Sequence, residues 1–135
     1  MKYVLDTNTV SALMRGDAEA VARLARASRA DVLVPQPVFA EIAYGIARLP
    51  SSRRRARLQA RLDLLRQELA RVEWTDAVSD AFGAIKAALE RRGRRIEDLD
   101  AAIAAHAVAN RATLITEDHG HMARVPGLAV ENWLL

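Results

Sequence analysis

The sequence has no cysteine, few aromatic residues and no long apolar run. Without cysteine the chain can form neither disulfides nor thiolate sites, which agrees with a reducing cytoplasm. No apolar stretch approaches the roughly 20 residues of a membrane span. The N-terminal segment MKYVLD has a charge at position 6 and no long apolar core, so it is not expected to be a signal peptide. With aromatic residues at 4%, base stacking is not expected to drive nucleic-acid binding. We therefore expect a cytoplasmic protein without membrane contact.

Lysine is also scarce, and arginine supplies nearly all of the positive charge. Lysine occurs only at positions 2 and 86, whereas arginine forms the clusters RRRAR (53–57) and RRGRR (91–95). The planar guanidinium suits phosphates and carboxylates, so polyanion binding is one interpretation of these clusters. Solvated helix faces encoded by a GC-rich genome are the other. The sequence leaves both interpretations open.

Short apolar segments alternate with amphipathic ones along the whole chain. Strands are predicted at 2–5, 32–35, 71–74, 113–116 and 128–132. Helices are predicted at 11–27, 38–49, 51–70, 78–89 and 100–110, and the third carries an apolar stripe of leucines at 58, 62, 65 and 69. This alternation predicts one α/β domain over residues 1–135, with a short, mainly parallel central sheet covered by helices on both faces.

Four acidic residues fall near strand ends or helix starts. Asp6 ends the strand YVL, Glu41 lies in the first turns of the helix in PVFAEIAYG, Asp100 opens the alanine-rich helix, and Asp118 follows the strand TLIT. Taken singly, each has an ordinary explanation as a helix cap or a partner of the helix dipole. Because ligands of such folds bind outside the carboxyl ends of the strands, four acids at that edge predict a site.

The residue types at this edge indicate which chemistry it supports. Gathered carboxylates repel one another, so a cluster needs a cation or raised pKa values. Oxygen ligands favour Mg²⁺ or Mn²⁺ over zinc, and a hydrated Mg²⁺ readily takes a phosphate as a further ligand. His106 is interpreted as a structural histidine, and His119 and His121 as an exposed polar turn. The pattern predicts metal-assisted phosphoryl chemistry on a polyanion.

Four segments together carry a resemblance to a known family. YVLDTNTVSALMR, PVFAEIAYG, IEDLDAAIAAHAVANRATLITED and VPGLAVENWL resemble the PIN-domain ribonucleases, specifically the VapC toxins of bacterial type II toxin–antitoxin pairs. The resemblance runs over the whole chain in order. It implies a PIN-like three-layer α/β/α domain and a metal-dependent endoribonuclease that leaves a 5′-phosphate and a 3′-hydroxyl.

The resemblance also implies roles for particular residues and partners. The family's acidic quartet binds Mg²⁺ or Mn²⁺ and hydrolyses RNA phosphodiesters, and nearby polar residues hold the acids or water in place. A cognate antitoxin blocks the acidic pocket, and members commonly form homodimers. The matching positions here are Asp6, Glu41, Asp100 and Asp118 for the quartet, with Glu117 able to share the role of Asp118, and Asn8 and Thr116 as supporting residues.

The first arginine cluster has two possible uses under this resemblance. Arg53, Arg54 and Arg55 would steer the RNA substrate towards the acids, or would pair with acidic parts of the antitoxin. The residues themselves do not choose between these partners.

Two other functions compete with the ribonuclease interpretation. The stretch DTNTV resembles the D-x-D-x-[TV] signature of haloacid-dehalogenase-like phosphatases, but Asn8 cannot supply the proton that the second aspartate gives there. A non-catalytic module that binds a partner would account for the arginine clusters and the apolar stripes. It gives no reason for four converging acids.

Overall fold

Five short strands build the central sheet of the protein. The structure is a computed structural model that describes residues 1–134. The strands are β1 (Tyr3–Leu5), β2 (Val32–Pro35), β3 (Ala70–Val72), β4 (Thr113–Ile115) and β5 (Val130–Glu131). Their order across the sheet is β3-β2-β1-β4-β5, and every pairing is parallel. The predicted strand bounds are right to within two residues.

Seven α-helices and one 3₁₀ turn connect the strands within residues 1–134. They are α1 (Thr7–Arg15), α2 (Ala18–Arg26), the 3₁₀ turn Arg29–Asp31, α3 (Gln36–Ala47), α4 (Arg53–Glu68), α5 (Asp76–Arg91), α6 (Asp98–Ala109) and α7 (His119–Met122). Over this part of the chain no helix combines the length and the apolar character needed to cross a membrane.

The central strands are buried on both faces of the sheet. Val4 and Leu5 are successive residues of β1, and neither side chain reaches solvent; the same holds for Leu114 and Ile115 of β4. Because successive side chains of a strand point to opposite faces, both faces must be covered. This confirms the predicted α/β/α layering of a PIN-like domain.

The strand order places a switch point at β1. From β1 the chain moves to β2 on one side of the sheet, and it later returns to β4 on the other side. Where the winding direction reverses, the connections leave in opposite directions and open a crevice at the carboxyl ends of the strands. Asp6 follows β1 at this crevice, and its backbone N–H bonds to the Ile115 carbonyl of β4 at 3.1 Å.

The first helix differs from the prediction. Residues 11–27 were expected to form one helix, and the structure has two, with α1 beginning at Thr7 because the Asp6 carboxylate caps it. Gly16 ends α1 in the left-handed region at φ +75°, a conformation that glycine adopts without strain. Asp17 then caps α2 by accepting from the Ala20 N–H at 3.0 Å.

One helix start and one turn also differ from the sequence interpretation. The alanine-rich helix begins at Asp98 rather than at Asp100, with Glu97 at the N-cap position, so Asp100 lies inside the first turn. His119 and His121 are exposed, as expected, but they lie in the short helix α7. Asp118 caps α7 through its carboxylate, whereas Glu97 makes no side-chain cap bond at the start of α6.

The leucine stripe of α4 packs as predicted. Leu62 is fully buried and Leu69, just after the helix, is almost so, while Leu58 and Leu65 pack against the same core. Leu64, on the same helix, is 56% exposed. Leu62 and Leu64 therefore allow a buried leucine to be compared with an exposed leucine on the same helix.

Truncation of Leu62 should destabilise the protein far more than truncation of Leu64. Leu62→Ala removes core contacts and leaves a cavity, so the free energy of unfolding should fall by about 2–5 kcal/mol. Leu64→Ala should change it by less than about 0.5 kcal/mol. Urea denaturation followed by circular dichroism measures both values, and equal losses in the two variants would contradict this core.

Candidate functional site

The four predicted acids meet in one cavity at the carboxyl edge of the sheet. This cavity, which we call the acidic pocket, has a volume of about 250 Å³. Its lining includes both predicted supporting residues and two that were not predicted, Thr7 and Met122. The full lining is Asp6, Thr7, Asn8, Glu41, Asp100, Thr116, Asp118 and Met122. Residues up to 116 positions apart in the sequence, Asp6 and Met122, are gathered here by the parallel sheet.

Asp6 serves both as a helix cap and as a wall of the pocket. Its Oδ1 accepts a hydrogen bond from the Thr9 N–H at 2.8 Å, which fixes the carboxylate at the start of α1. The residue is only 7% exposed. A buried carboxylate is costly unless hydrogen bonds or cations offset the desolvation, and the cap occupies only one of its two oxygens. The second oxygen leaves Asp6 able to take a further partner.

Glu41 is held by a residue that the sequence analysis missed. The Thr7 hydroxyl of α1 donates a hydrogen bond to Oε1 of Glu41 on α3. This contact joins two helices that follow neighbouring strands, and it orients the glutamate towards the pocket that both residues line. The adjacency of Thr7 to Asp6 was the available signal. Its partner could not be read from the sequence, because the contact spans 34 positions.

Asp118 is oriented by its neighbours after β4. Its backbone N–H donates to Oγ1 of Thr116 at 2.9 Å, and Thr116 is fully buried. The Asp118 carboxylate accepts from the His121 N–H at 3.2 Å, and the His121 ring Nδ1 lies 3.0 Å from each carboxylate oxygen. Thr116 thus has the supporting position that was predicted. Glu117 is exposed and is not part of the pocket lining.

Asp100 experiences the charge of the other acids. Partial burial raises the pKa of its carboxyl group above the ordinary value, and the negative charges of Glu41, Asp118 and Asp6 raise it further, as does that of Glu97. The pocket therefore disfavours the ionised form of Asp100 in the absence of a counter-charge. A divalent cation placed among these oxygens would reverse the effect.

The donor set of the pocket fits a hard divalent cation. All four acids offer oxygen ligands, as Mg²⁺ and Mn²⁺ require. Across residues 1–134, however, no three acids or histidines are already close enough to form a ready-made cage. Mg²⁺ needs no such cage, since it usually keeps several waters and binds one or two carboxylates directly. The pocket suits a partly hydrated ion better than a fully protein-bound one.

Two larger openings adjoin the acidic pocket on different sides. The first, which we call the Lys86 cavity, has a volume of about 580 Å³ and shares Asp100 and Asp118 with the pocket. The second lies between α1, α3 and α4 and has a volume of about 270 Å³; it shares Thr7 and Glu41 with the pocket. A neighbouring depression lies along α1 and α4 and shares Met14 and Arg15 with this opening. We call the two together the α1–α4 groove.

The predicted RNA-binding arginines occupy the start of α4. Arg54 lines the α1–α4 groove beside Glu41, so the structure brings it near the acids. Arg55 donates instead to the Leu49 carbonyl at 3.3 Å, and Arg53 lines neither opening. Of the three arginines, only Arg54 lies next to the site.

His106 lies outside the acidic pocket, as the sequence interpretation required. It is fully buried, and its Nδ1 is 2.7 Å from the Ala102 carbonyl one helical turn earlier, so this nitrogen is the donor. Burial lowers the pKa of the ring. Its Nε2 contacts no hydrogen-bond partner in the described part of the chain, and its ring packs at right angles to that of Trp74 with 5.3 Å between the centroids. The residue is structural.

Comparisons with known proteins point to one family. The model of the PIN domain matches residues 3–128. Ribonuclease VapC2 of Rickettsia felis is 30% identical over 98% of each chain, and the tRNA(fMet)-specific endonuclease VapC of Salmonella typhimurium is 24% identical over 98% of each. The crystal structure of VapBC2 from Rickettsia felis bound to a promoter DNA fragment aligns with a TM-score of 0.88 and 27% identity, covering 98% of this chain and 99% of that one.

Replacement of Asp100 should stabilise the protein in a pH-dependent way. Because the folded state holds the pKa of Asp100 above its unfolded value, the free energy of unfolding falls as pH rises through the folded pKa. Asp100→Asn removes this loss, so the variant should be more stable than wild type at neutral pH. The gain should disappear below about pH 4, where the unfolded carboxyl is also protonated.

Urea denaturation in EDTA across this pH range provides the measurement. Asp80→Asn is the matched control, because Asp80 is an exposed acid on α5 that lines none of these openings. If Asp100→Asn is no more stable than Asp80→Asn at neutral pH, the carboxylates do not repel one another as described.

Proposed function

Because this chain belongs to the PIN-domain family, we propose that it is an endoribonuclease toxin of the VapC type. Four acids from four separate segments line one pocket at the switch point of the sheet, and this observation carries the proposal. The VapC relatives are ribonucleases by name, over almost the full length of this chain. Because the chain belongs to this family, the ribonuclease function is preferred over the haloacid-dehalogenase-like phosphatase alternative.

The pocket residues have distinct parts in the proposed hydrolysis. A bound Mg²⁺ or Mn²⁺ would supply a water of lowered pKa and would neutralise charge developing on the phosphate. Asp6 and Asp100 would be its main protein ligands, with Glu41 and Asp118 completing the site. The cap on Thr9 and the Thr7 hydroxyl keep Asp6 and Glu41 in fixed orientations, which limits the reorganisation needed when substrate binds.

The reaction is an in-line attack of water on the phosphorus of an RNA linkage. Glu41 or Asp118 would orient this water and accept its proton as the new P–O bond forms. The bond from phosphorus to the 3′ oxygen breaks as the new bond forms, and the leaving oxygen takes a proton from solvent, so the products carry a 5′-phosphate and a 3′-hydroxyl. Asn8 lines the same pocket and offers an amide for the substrate or for water.

The α1–α4 groove is the proposed docking place of an antitoxin. Apolar side chains of α1 and α4 line it, and Leu64 is 56% exposed there. Arg15 and Arg54 lie along its course towards Glu41, where they would attract an acidic segment. Several similar solved structures are toxin–antitoxin complexes. A partner seated in this groove would cover one entrance to the acids. The homodimer implied by the family stays a prediction.

Loss of a pocket acid should abolish RNA cleavage. Asp6→Asn keeps an oxygen for the Thr9 cap, so the fold should survive, but it removes the charge that a cation needs. The cleavage rate of total RNA in Mg²⁺ or Mn²⁺ should fall at least about 100-fold, and EDTA should stop the wild-type reaction. Asp80→Asn should cleave normally. An unchanged rate in folded Asp6→Asn would end this proposal.

A charge placed in the α1–α4 groove should weaken antitoxin binding. The probe is the product of a small reading frame adjacent to the gene of this chain. Leu64→Glu should reduce its affinity at least about tenfold, because burying an unpaired charge is costly. Val21→Glu, on α2, is the control, since Val21 is also exposed, at 44%. Equal affinities for both variants would place the partner elsewhere.

A further inference from the structure

The Lys86 cavity is the largest opening beside the acids, and the proposed hydrolysis leaves most of it unused. It meets the acidic pocket at Asp100 and Asp118, so a strand with its reacting phosphate at the acids can continue into it. Its lining includes two cationic side chains, Lys86 and Arg95. Arg95 belongs to the second arginine cluster, for which the sequence analysis left polyanion binding open, whereas Lys86 was not a candidate.

Lys86 presents its ammonium group to this cavity from α5. Its Nζ lies 3.0 Å from Oδ1 of Asp98, and the two side chains are 41% and 69% exposed. An ion pair this exposed contributes little stability and exchanges readily with other partners. An ammonium has three donors, so Lys86 can also bind a phosphate oxygen without leaving Asp98.

Arg95 is carried by a turn that is tied to the end of α5. The Gly93 N–H bonds to the Glu90 carbonyl at 3.0 Å and the Arg94 N–H to that of Leu89 at 2.8 Å, with Gly93 at φ +67°. These bonds fix the backbone immediately before Arg95. Within residues 1–134 Arg95 makes no ion pair, so its guanidinium is available for a bidentate phosphate contact.

The remaining lining of the cavity favours a backbone contact over a base contact. Ile96 is its one apolar side chain, and its one aromatic ring is the imidazole of His121, which contacts the Asp118 carboxylate. A base would find little further stacking surface there, whereas a phosphate could reach two cations, with Glu97 and Asp98 as the neighbouring acids. The carboxylates of Asp100 and Asp118 would repel a phosphate that has no cation. Lys86 and Arg95 are therefore the groups that would hold a phosphate next to the reacting one.

We propose that Lys86 and Arg95 form a subsite that binds the RNA phosphate adjacent to the scissile one. This inference rests on the proposed ribonuclease function and assigns the direction in which the substrate strand leaves the acids. The contact is sequence-independent, so it positions the strand without selecting a base. Arg54 lies on the opposite side, in the groove assigned to the antitoxin.

Asp98 provides a substitution that should strengthen substrate binding, opposite in effect to the loss of Lys86 or Arg95. It lines the same cavity and offsets the charge of Lys86. Its carboxylate would lie close to the bound phosphate and repel it. Lys86→Ala and Arg95→Ala should therefore weaken substrate binding, whereas Asp98→Asn should strengthen it. A purely structural role of the Lys86–Asp98 pair would make the loss of either partner similar.

The first experiment measures cleavage of a short labelled single-stranded RNA in Mn²⁺ by the full chain. Lys86→Ala and Arg95→Ala should each raise KM about fivefold with kcat retained, the size expected of one partly exposed charge contact. The salt dependence of log KM should weaken by about 0.7 for each lost contact. Asp98→Asn should lower KM. Lys2→Ala and Arg29→Ala are controls, because these residues lie before β1 and β2, at the amino ends of the strands, whereas the acids lie at the carboxyl ends.

The second experiment identifies the phosphate. A neutral methylphosphonate linkage is placed beside the cleavage site, on one side and then on the other. At one of these two positions the neutral linkage should raise the KM of the wild-type protein. At that position it should have no further effect on the KM of the double variant K86A/R95A. Wild-type KM values for the lysine and arginine variants, or an equal added effect of the linkage in the double variant, would overturn the subsite.

A binding assay separates this inference from the proposed function. The same RNA is titrated into Asp6→Asn protein with and without the K86A/R95A substitutions, followed by fluorescence anisotropy. Weaker binding in the combined variant supports the subsite even if no cleavage is found, and equal binding overturns it. Absence of cleavage by wild-type protein contradicts the ribonuclease proposal alone.

Discussion

The mutual repulsion of carboxylates held at one edge of a parallel sheet governs the functional part of this molecule. Asp6 and Asp118 follow the neighbouring strands β1 and β4. Partial burial raises the pKa of Asp100, and the charges of Glu41, Asp118 and Asp6 raise it further. Backbone hydrogen bonds between the two strands hold Asp6 and Asp118 near each other, so the repulsion persists in the folded state. Such a cluster costs stability and is retained where a cation or a substrate relieves it.

Charge and apolarity divide the surface around these acids into separate regions. On one side lies the Lys86 cavity, whose lining includes the cationic side chains of Lys86 and Arg95. On the other side lies the α1–α4 groove, where leucine and methionine side chains accompany Arg15 and Arg54. A nucleic-acid strand and an acidic, apolar protein segment can therefore approach the same acids from different directions. Under the proposed function, this division would allow one small domain to bind both a substrate and an inhibitor.

Much of this arrangement follows from local sequence. Alternating apolar segments predicted the parallel sheet, and the position of each acid relative to a strand or a helix start predicted that all would reach one edge. The break at Gly16 was missed because apolar periodicity continues through it, and only the left-handed turn and the Asp17 cap reveal two helices. Thr7 and Lys86 were missed because their importance comes from contacts between distant segments, which periodicity does not encode. Arg95 lay in a cluster whose use the sequence left open. The roles of the acids as metal ligands stay a prediction.

Anomalous scattering from a crystal of the full chain soaked in Mn²⁺ tests the central claim most directly. The account predicts a manganese peak in the acidic pocket, within coordination distance of Asp6 or Asp100 and with the remaining acids reached directly or through water. The same soak of Asp100→Asn crystals should give a weaker peak or none. Manganese bound at His119 and His121 alone, with the pocket empty in wild-type crystals, would contradict it.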